Sequence, residues 1–256
     1  MYKIALLAGY NNSWTSLMVA EKLRLSGNKP KIIIIAYPLT IKRLKTVIKN
    51  RGIESIKNYL FKIKKLNRKD LLVEQELKSI GINSPSIKKW AKKNNVKFIE
   101  TNNINSKKAI EAIKTINPDF TAYTGGGIIK EKFIDAANNS IINAHSGKMP
   151  EIRGMNALEW SILLNIPTGI TTHFIDKGID TGNIIDWKEI KPMDGDNLDS
   201  LRQKIVLEGC NNLVSNIKKL ILGKITSKKE SSDKLSRQCF VVSPALEEIA
   251  NLKLNP

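Results

Sequence analysis

Two short runs of large aliphatic residues, separated by a segment of helix length, constrain this chain most. Lys3–Ala8 and Lys31–Tyr37 are too brief to be core helices and are bounded by Gly9 and Pro30 or by polar residues. Short β-branched-rich runs of this kind read as strands buried on both faces. Thr15–Leu25 between them reads as a helix. A strand, a helix and a second buried strand form the opening of a parallel α/β sheet.

The alternation is interrupted and then resumes. Ile41, Leu44, Val47 and Ile48, then Ile56, Tyr59, Leu60 and Ile63, recur at helical spacing with basic residues on the opposite faces. With breaks at Gly52 and 67–70, residues 40–80 read as two or three amphipathic helices inserted into the α/β order. A helix is expected over Pro85–Lys93, capped by Ser84 with Pro85 in its first position. Then come a strand (Val96–Ile99), a helix (Ser106–Ile116), a strand (Phe120–Tyr123) running into Gly125, Gly126 and Gly127, a short helix (Lys130–Ala137) and a strand (Ser140–Ala144). Arg153–Leu164 reads as a helix, Gly169–Ile175 and Asn183–Ile190 as strands, and Asn197–Leu222 as a long helix stopped by Gly223. Lys224–Arg237 is polar and expected to be mobile, and Gln238–Leu254 is expected to pack back on the domain.

Composition narrows the class. At 256 residues and 41% hydrophobic content, the chain can bury the core of one large domain with an appendage, or of two modest ones. Its two cysteines, Cys210 and Cys239, exclude a disulfide framework and fit a reducing, cytoplasmic setting. Ile4–Ala8 is too short for a signal peptide's apolar region, and no run approaches the roughly 20 apolar residues of a membrane span. The net charge of +18 is uneven: residues 1–120 carry 25 Lys and Arg against 8 Asp and Glu, the rest 17 against 16. Residues 41–69 hold eleven bases and one acid, Glu54. Such a block fits an anionic partner (nucleic acid, a nucleotide or a lipid surface) or simply a solvated helix face.

The chemistry-bearing residues crowd into one region. Both histidines lie there, in Asn143-Ala144-His145-Ser146-Gly147-Lys148-Met149-Pro150 with Arg153-Gly154 after it, and in Gly169-Ile170-Thr171-Thr172-His173-Phe174; Asp176-Lys177-Gly178-Ile179-Asp180-Thr181-Gly182 follows. Asn143 and His145 are two apart at the end of a strand, so their side chains share a face. Ligands of open α/β sheets bind beyond the strand C-termini. There an amide and an imidazole N–H can converge on one developing oxyanion, with Asp180 orienting the imidazole and favouring its protonated form. Taken singly, each residue has a plainer reading: Asn143-x-His145 as a capped turn, Asp180 as a turn aspartate, Arg153 as an ion-pair partner, Leu158 and Trp160 as core. His145, His173 and Asp180 are also the right types for a three-ligand zinc site, although Asn143 then has no role.

In this order and spacing, Asn-x-His, Pro-x-x-Arg-Gly, Gly-x-x-x-His-Phe and Ile-Asp-Thr-Gly resemble the formyltransferases that use 10-formyltetrahydrofolate. These include the glycinamide ribonucleotide, methionyl-tRNA and sugar-nucleotide enzymes. The likeness is strong over 118–190 and absent over 40–80. It implies catalytic roles for Asn143, His145 and Asp180, with His173 in support. It implies folate contacts along Gly125, Gly126, Gly127 and Ile129 and along Asp176, Lys177, Gly178 and Ile179, largely through backbone, and no metal. It also implies direct transfer to a neutral amine, with Asn143 and protonated His145 donating to the oxyanion. Acceptor contacts are expected from Gly9, Tyr10, Asn11, Lys148 and Arg153.

Two departures bear on the acceptor. The first turn, Gly9–Ser13, lacks the compact phosphate grip of the glycinamide ribonucleotide enzymes, and too few residues follow 190 for the β-barrel domain of the methionyl-tRNA enzymes. An anionic, nucleotide-linked amino sugar is therefore the expected acceptor. The alternatives are the other two transferases, a formyltetrahydrofolate hydrolase (usually with an added domain, for which there is no room), or a basic RNA- or membrane-surface-binding protein whose catalytic half is inert. The expected fold is α/β: an open, mostly parallel, Rossmann-like sheet over residues 1–192 with a basic helical insertion at about 40–80. A C-terminal helix and tail, 193–256, pack on it, and the long helix or tail is either core or a homodimer contact.

Overall fold

The computed structural model describes residues 2–37, 70–229 and 235–254. Most of the expected helical insertion, including the basic block 41–69, lies outside them. The two aliphatic runs form β1 (Ile4–Ala8) and β2 (Ile32–Ala36), every residue of which is buried. Their side chains split by parity. Ile4, Leu6, Ala8, Ile33 and Ile35 point into one core, and Ala5, Leu7, Ile32, Ile34 and Ala36 into another. This is the period-2 alternation of a sheet covered on both faces. Fully burying each isoleucine or leucine contributes about 1.5–3 kcal/mol.

Helix α1 (Trp14–Leu25) covers the first face, started by Ser13, whose hydroxyl accepts from the Ser16 N–H at 3.1 Å. After the undescribed segment come α2 (Leu71–Ser79) and α3 (Ile87–Lys93) on the same core. Ser86, not the expected Ser84, caps α3, because Ser86 is bridged to Asn12 and holds the chain extended past Pro85. Next follow β3 (Lys97–Thr101), α4 (Lys107–Ile116), β4 (Phe120–Tyr123), α5 (Glu131–Ala136) and β5 (Ile141–His145). Helices α4 and α5 fill the second core with Ala109, Ile113, Phe133 and Ile134.

The expected helix over Arg153–Leu164 is corrected. Its first residues form a short strand, β6 (Ile152–Gly154), and the helix α6 occupies only Ala157–Leu163. Gly154 at φ 91° and Asn156 at φ 53° hold the left-handed conformation, which ends the strand before the helix can start. Strands β7 (Gly169–Phe174) and β8 (Ile184–Glu189) complete a seven-stranded sheet of order β3-β2-β1-β4-β5-β7-β8. The pairs from β3 to β5 are parallel, and β7 and β8 run antiparallel.

Helix α7 (Leu198–Ile221) opens with a reciprocal Asn197–Ser200 cap, and Gly223 follows it at φ 64°. Its Leu213, Val214 and Ile217 share a core with β1, so the apolar face of the long helix is spent on this domain. The tail is tied down at points where it was expected to be mobile. Lys228 pairs with Ile184, and Arg237 opens β9 (Arg237–Cys239), which lies parallel to β6. Helix α8 (Pro244–Leu254) packs back through Ala250 against Leu201 and Ile205. Buried Arg202 joins α6, α7 and α8, with Glu159 at 2.7 Å, Asp199 at 2.6 Å and Glu247 at 3.7 Å.

Candidate active site

Three motifs spread over residues 143–182 meet beside β5, because β7 runs back along it. The register sets Asn143 opposite His173 and His145 opposite Thr171. Directly opposed residues present their side chains on one face, so both histidines and the amide are neighbours by pairing alone. A register irregularity between Thr172 and His173 sits at this point; bulges are a common way of re-aiming a side chain beside a site.

His173 is 1% exposed and donates from Nδ1 to the Phe174 carbonyl at 2.8 Å. Its Nε2 faces the Asn143 amide nitrogen at 3.2 Å. Asn143 itself is only partly buried, and its amide nitrogen lies against His173. His145 is 7% exposed; its Nε2–H donates to the Ile152 carbonyl at 3.0 Å, and Nδ1 lies 3.4 Å from Asp180. Gly147 is packed so closely that a Cβ there would sit 2.7 Å from the His145 Nε2.

Asp180 stands between the two rings, with His173 Nε2 at 3.5 Å from its other oxygen. It occupies a left-handed position, φ 50°, on a tight loop. The Asp176 carboxylate knits that loop by accepting from the Gly178 N–H at 3.0 Å and the Thr181 hydroxyl at 2.5 Å. A side chain at Gly182 would reach within 1.8 Å of the Phe174 carbonyl oxygen. The Gly154 N–H donates to Asp180 at 2.8 Å.

Burial alone would raise the Asp180 pKa, but the two histidine rings beside it and the Gly154 hydrogen bond outweigh it and hold it at about 2. Burial also dominates at His145, drawing its pKa below the usual histidine value although Asp180 pulls the other way. The expectation that Asp180 favours an imidazolium therefore gives the direction of one influence, and desolvation overrides it. Burial pushes the Tyr123 hydroxyl up to about 12, so it stays a donor, held to the Gly127 carbonyl at 3.0 Å.

The loop after β4 lies at the same end of the sheet. Gly125, Gly126 and Gly127 have φ of 138°, 128° and 92°, and a Cβ on Gly9 would lie 3.1 Å from the Gly126 nitrogen. Ile129 buries its side chain in the second core, whereas Ile128 is 73% exposed beside the glycines. Lys177 reaches across to Glu131 in an ion pair.

Among the residues expected to touch an acceptor, Asn11 is turned to α3, its side-chain oxygen accepting from the Lys88 N–H at 3.0 Å. Gly9 and Tyr10 stand with Asn11 on the turn after β1. Lys148 lies 3.6 Å from Glu151, and Arg153 donates to the Ile179 carbonyl at 3.0 Å and the Ser236 hydroxyl at 2.8 Å. Three contributors were not singled out from sequence: the Gly154 N–H, Ser236, and Thr171, which donates to the Gly147 carbonyl at 2.6 Å. Thr171 was visible inside a quoted motif; Ser236 carried no signal. Among the described residues no group of three or more His, Cys, Asp or Glu is arranged to hold a metal, and no helix is long and apolar enough to cross a membrane.

The sequence model of the formyl transferase family matches residues 61–217, more than half of the chain. The chain belongs to the formyl transferase family. Among its relatives is the methionyl-tRNA formyltransferase of Thermodesulfovibrio yellowstonii, 29% identical over 155 residues, covering 60% of this chain and 50% of that protein. The chain thus spans about half the length of the curated relatives it matches. The glycinamide ribonucleotide transformylase 1 of Symbiobacterium toebii shares the fold with a TM-score of 0.59 at 16% identity, over 90% of this chain and 95% of that one. WlaRD, a sugar 3N-formyl transferase, does so with a TM-score of 0.56 at 20% identity, over 93% and 69%. These structures share the fold of this chain.

Proposed function

We propose that this chain moves the formyl group of 10-formyltetrahydrofolate to a primary amine, with Asn143, His145 and Asp180 as its working groups and a nucleotide-linked amino sugar as acceptor. The observation that carries the reading is the gathering of His145 and His173 around the Asp180 carboxylate, with Asn143 against His173, at the open end of a mostly parallel sheet. A bound formyl folate supplies the electrophilic carbon. The residues present fit such a group: a bare glycine backbone with an exposed isoleucine beside it suits a flat ring, and the Asp176–Gly182 loop offers backbone groups opposite.

The roles follow from which atoms are spoken for. Asn143, pinned on one side by His173, turns an N–H toward the formyl oxygen as negative charge builds there. His145 has both ring nitrogens against protein acceptors. As a buried neutral ring it presents a lone pair at Nδ1 to an ionised Asp180, a pairing that a single shared proton relieves. The His145–Asp180 pair is therefore set to hold the proton lost by the attacking amine until it passes to the folate nitrogen. One C–N bond forms, one breaks, and the proton's transfer closes the balance.

The acceptor reading draws support from the fold shared with a sugar 3N-formyl transferase whose structure was obtained with dTDP and 5-N-formyl-THF. The likeness to methionyl-tRNA formyltransferases supports a tRNA-borne amine as the second reading. Both are separated by incubating the chain with 10-formyltetrahydrofolate and, in turn, dTDP-linked amino sugars, glycinamide ribonucleotide and methionyl-tRNA. Release of tetrahydrofolate only with the sugars is expected. Release with no amine present would mean hydrolysis, and failure to bind 5-formyltetrahydrofolate would remove the folate reading altogether.

A further inference from the structure

We propose that the segment Ser236–Cys239 is a positioning element of the formyl-transfer site, holding the Asp180 loop in place through Arg153 and Gly154. This rests on the role of Asp180 given above. Strand β6 has no place in the seven-stranded sheet; its partner is β9, with Ile152, Arg153 and Gly154 opposite Arg237, Gln238 and Cys239. A three-residue strand has little stability of its own, so the order of β6 depends on the segment laid beside it.

Each residue of β6 reaches the site. The Ile152 carbonyl accepts from His145, and the Gly154 N–H donates to the Asp180 carboxylate. The Arg153 guanidinium spans two segments, donating from Nη1 to the carbonyl of Ile179, the residue before Asp180, and from Nε to the Ser236 hydroxyl. Strand β9 closes the arrangement from outside, with the Met155 N–H donating to the Cys239 carbonyl at 3.0 Å and the Trp160 indole to the Phe240 carbonyl at 2.7 Å. A Cβ on Gly154 would lie 2.4 Å from the Cys239 oxygen, so β9 can seat only against a glycine. The far end of the chain is thereby connected to the carboxylate by two short paths, one through the Gly154 N–H and one through the Arg153 fork.

A merely structural latch would move the melting temperature; a positioning one moves the carboxylate. The full chain, Ser236→Ala, Arg153→Lys and the double variant are compared by ¹³C NMR titration of the Asp180 carboxyl from pH 7 to the edge of acid unfolding. Melting temperature and 5-formyltetrahydrofolate affinity are measured alongside. Arg153→Lys keeps the charge but loses the two-armed geometry, and should raise the Asp180 midpoint by about one pH unit as its hydrogen bond loosens. Ser236→Ala should shift it the same way by less and add nothing in the double variant, since both act through one guanidinium. An Asp180 midpoint that stays put in both folded variants overturns the proposal, as does a double variant that shifts by the sum of the two. If Arg153→Lys does not fold, Ser236→Ala decides alone, because its exposed hydroxyl is no part of a core. Should the unaltered chain fail to bind 5-formyltetrahydrofolate, the formyl-transfer reading falls, while the titration still reports on the latch by itself.

Discussion

Replacing Asp180 by asparagine isolates the charge that the two histidines and the Gly154 N–H surround. The position has φ 50°, which asparagine tolerates well, so the substitution adds little backbone strain. The carboxyl falls from its ordinary 3.8 to about 2 in the folded chain. At about 1.4 kcal/mol per pH unit, the ionised form contributes about 2 kcal/mol to folding. The folded state holds this proton less tightly than the unfolded one. The contribution is therefore complete above roughly pH 5 and is lost as pH falls from about 4 through about 2. Urea unfolding of the unaltered chain and of Asp180→Asn at steps from pH 6 to pH 2.5 measures it. The other carboxylates titrate in both proteins and cancel in the difference. A gap of about 2 kcal/mol at pH 6 that closes toward the acid limit is expected. A gap of constant size would mean that shape and not charge is what Asp180 supplies, and would refute the electrostatic account of the site.

Asn143→Ala should bind 5-formyltetrahydrofolate like the unaltered chain yet lose on the order of 10²–10³ in turnover; near-normal turnover would take Asn143 out of the mechanism. NMR of the two histidine rings should place the His145 midpoint below the ordinary 6.5, because burial outweighs Asp180; a higher midpoint would reverse that order. Arg202→Met leaves Glu159, whose side chain is 3% exposed, without its main partner, and should cost about 3–5 kcal/mol in chemical denaturation. Gly182→Ala forces a Cβ to within 1.8 Å of the Phe174 oxygen; the loop must shift, so proteolysis within 175–183 should speed up, and an unchanged rate would show that the loop yields at no cost.

Much of the fold was legible because short buried strands and capped helices are written locally. β1 and β2 follow from uninterrupted aliphatic runs, α4 from Ser106 and its apolar spacing, and the end of α7 from Gly223. The family was legible too, from four motifs in one order between Asn143 and Gly182. β6 was not, because Ile152–Gly154 becomes a strand only when Arg237–Cys239 lies alongside, and nothing local marks a pairing across 85 positions. The same holds for the antiparallel turn of β7, which alone sets His173 against Asn143. Residue types and their spacing thus determined which groups this chain brings to its chemistry. Which atoms of those groups stay available was decided by packing, since hydrogen-bond partners and desolvation belong to the assembled neighbourhood and not to any stretch of sequence. His145 shows the division: its presence was readable, but its bond to the Ile152 carbonyl and the burial that draws its pKa down arise only inside the folded protein.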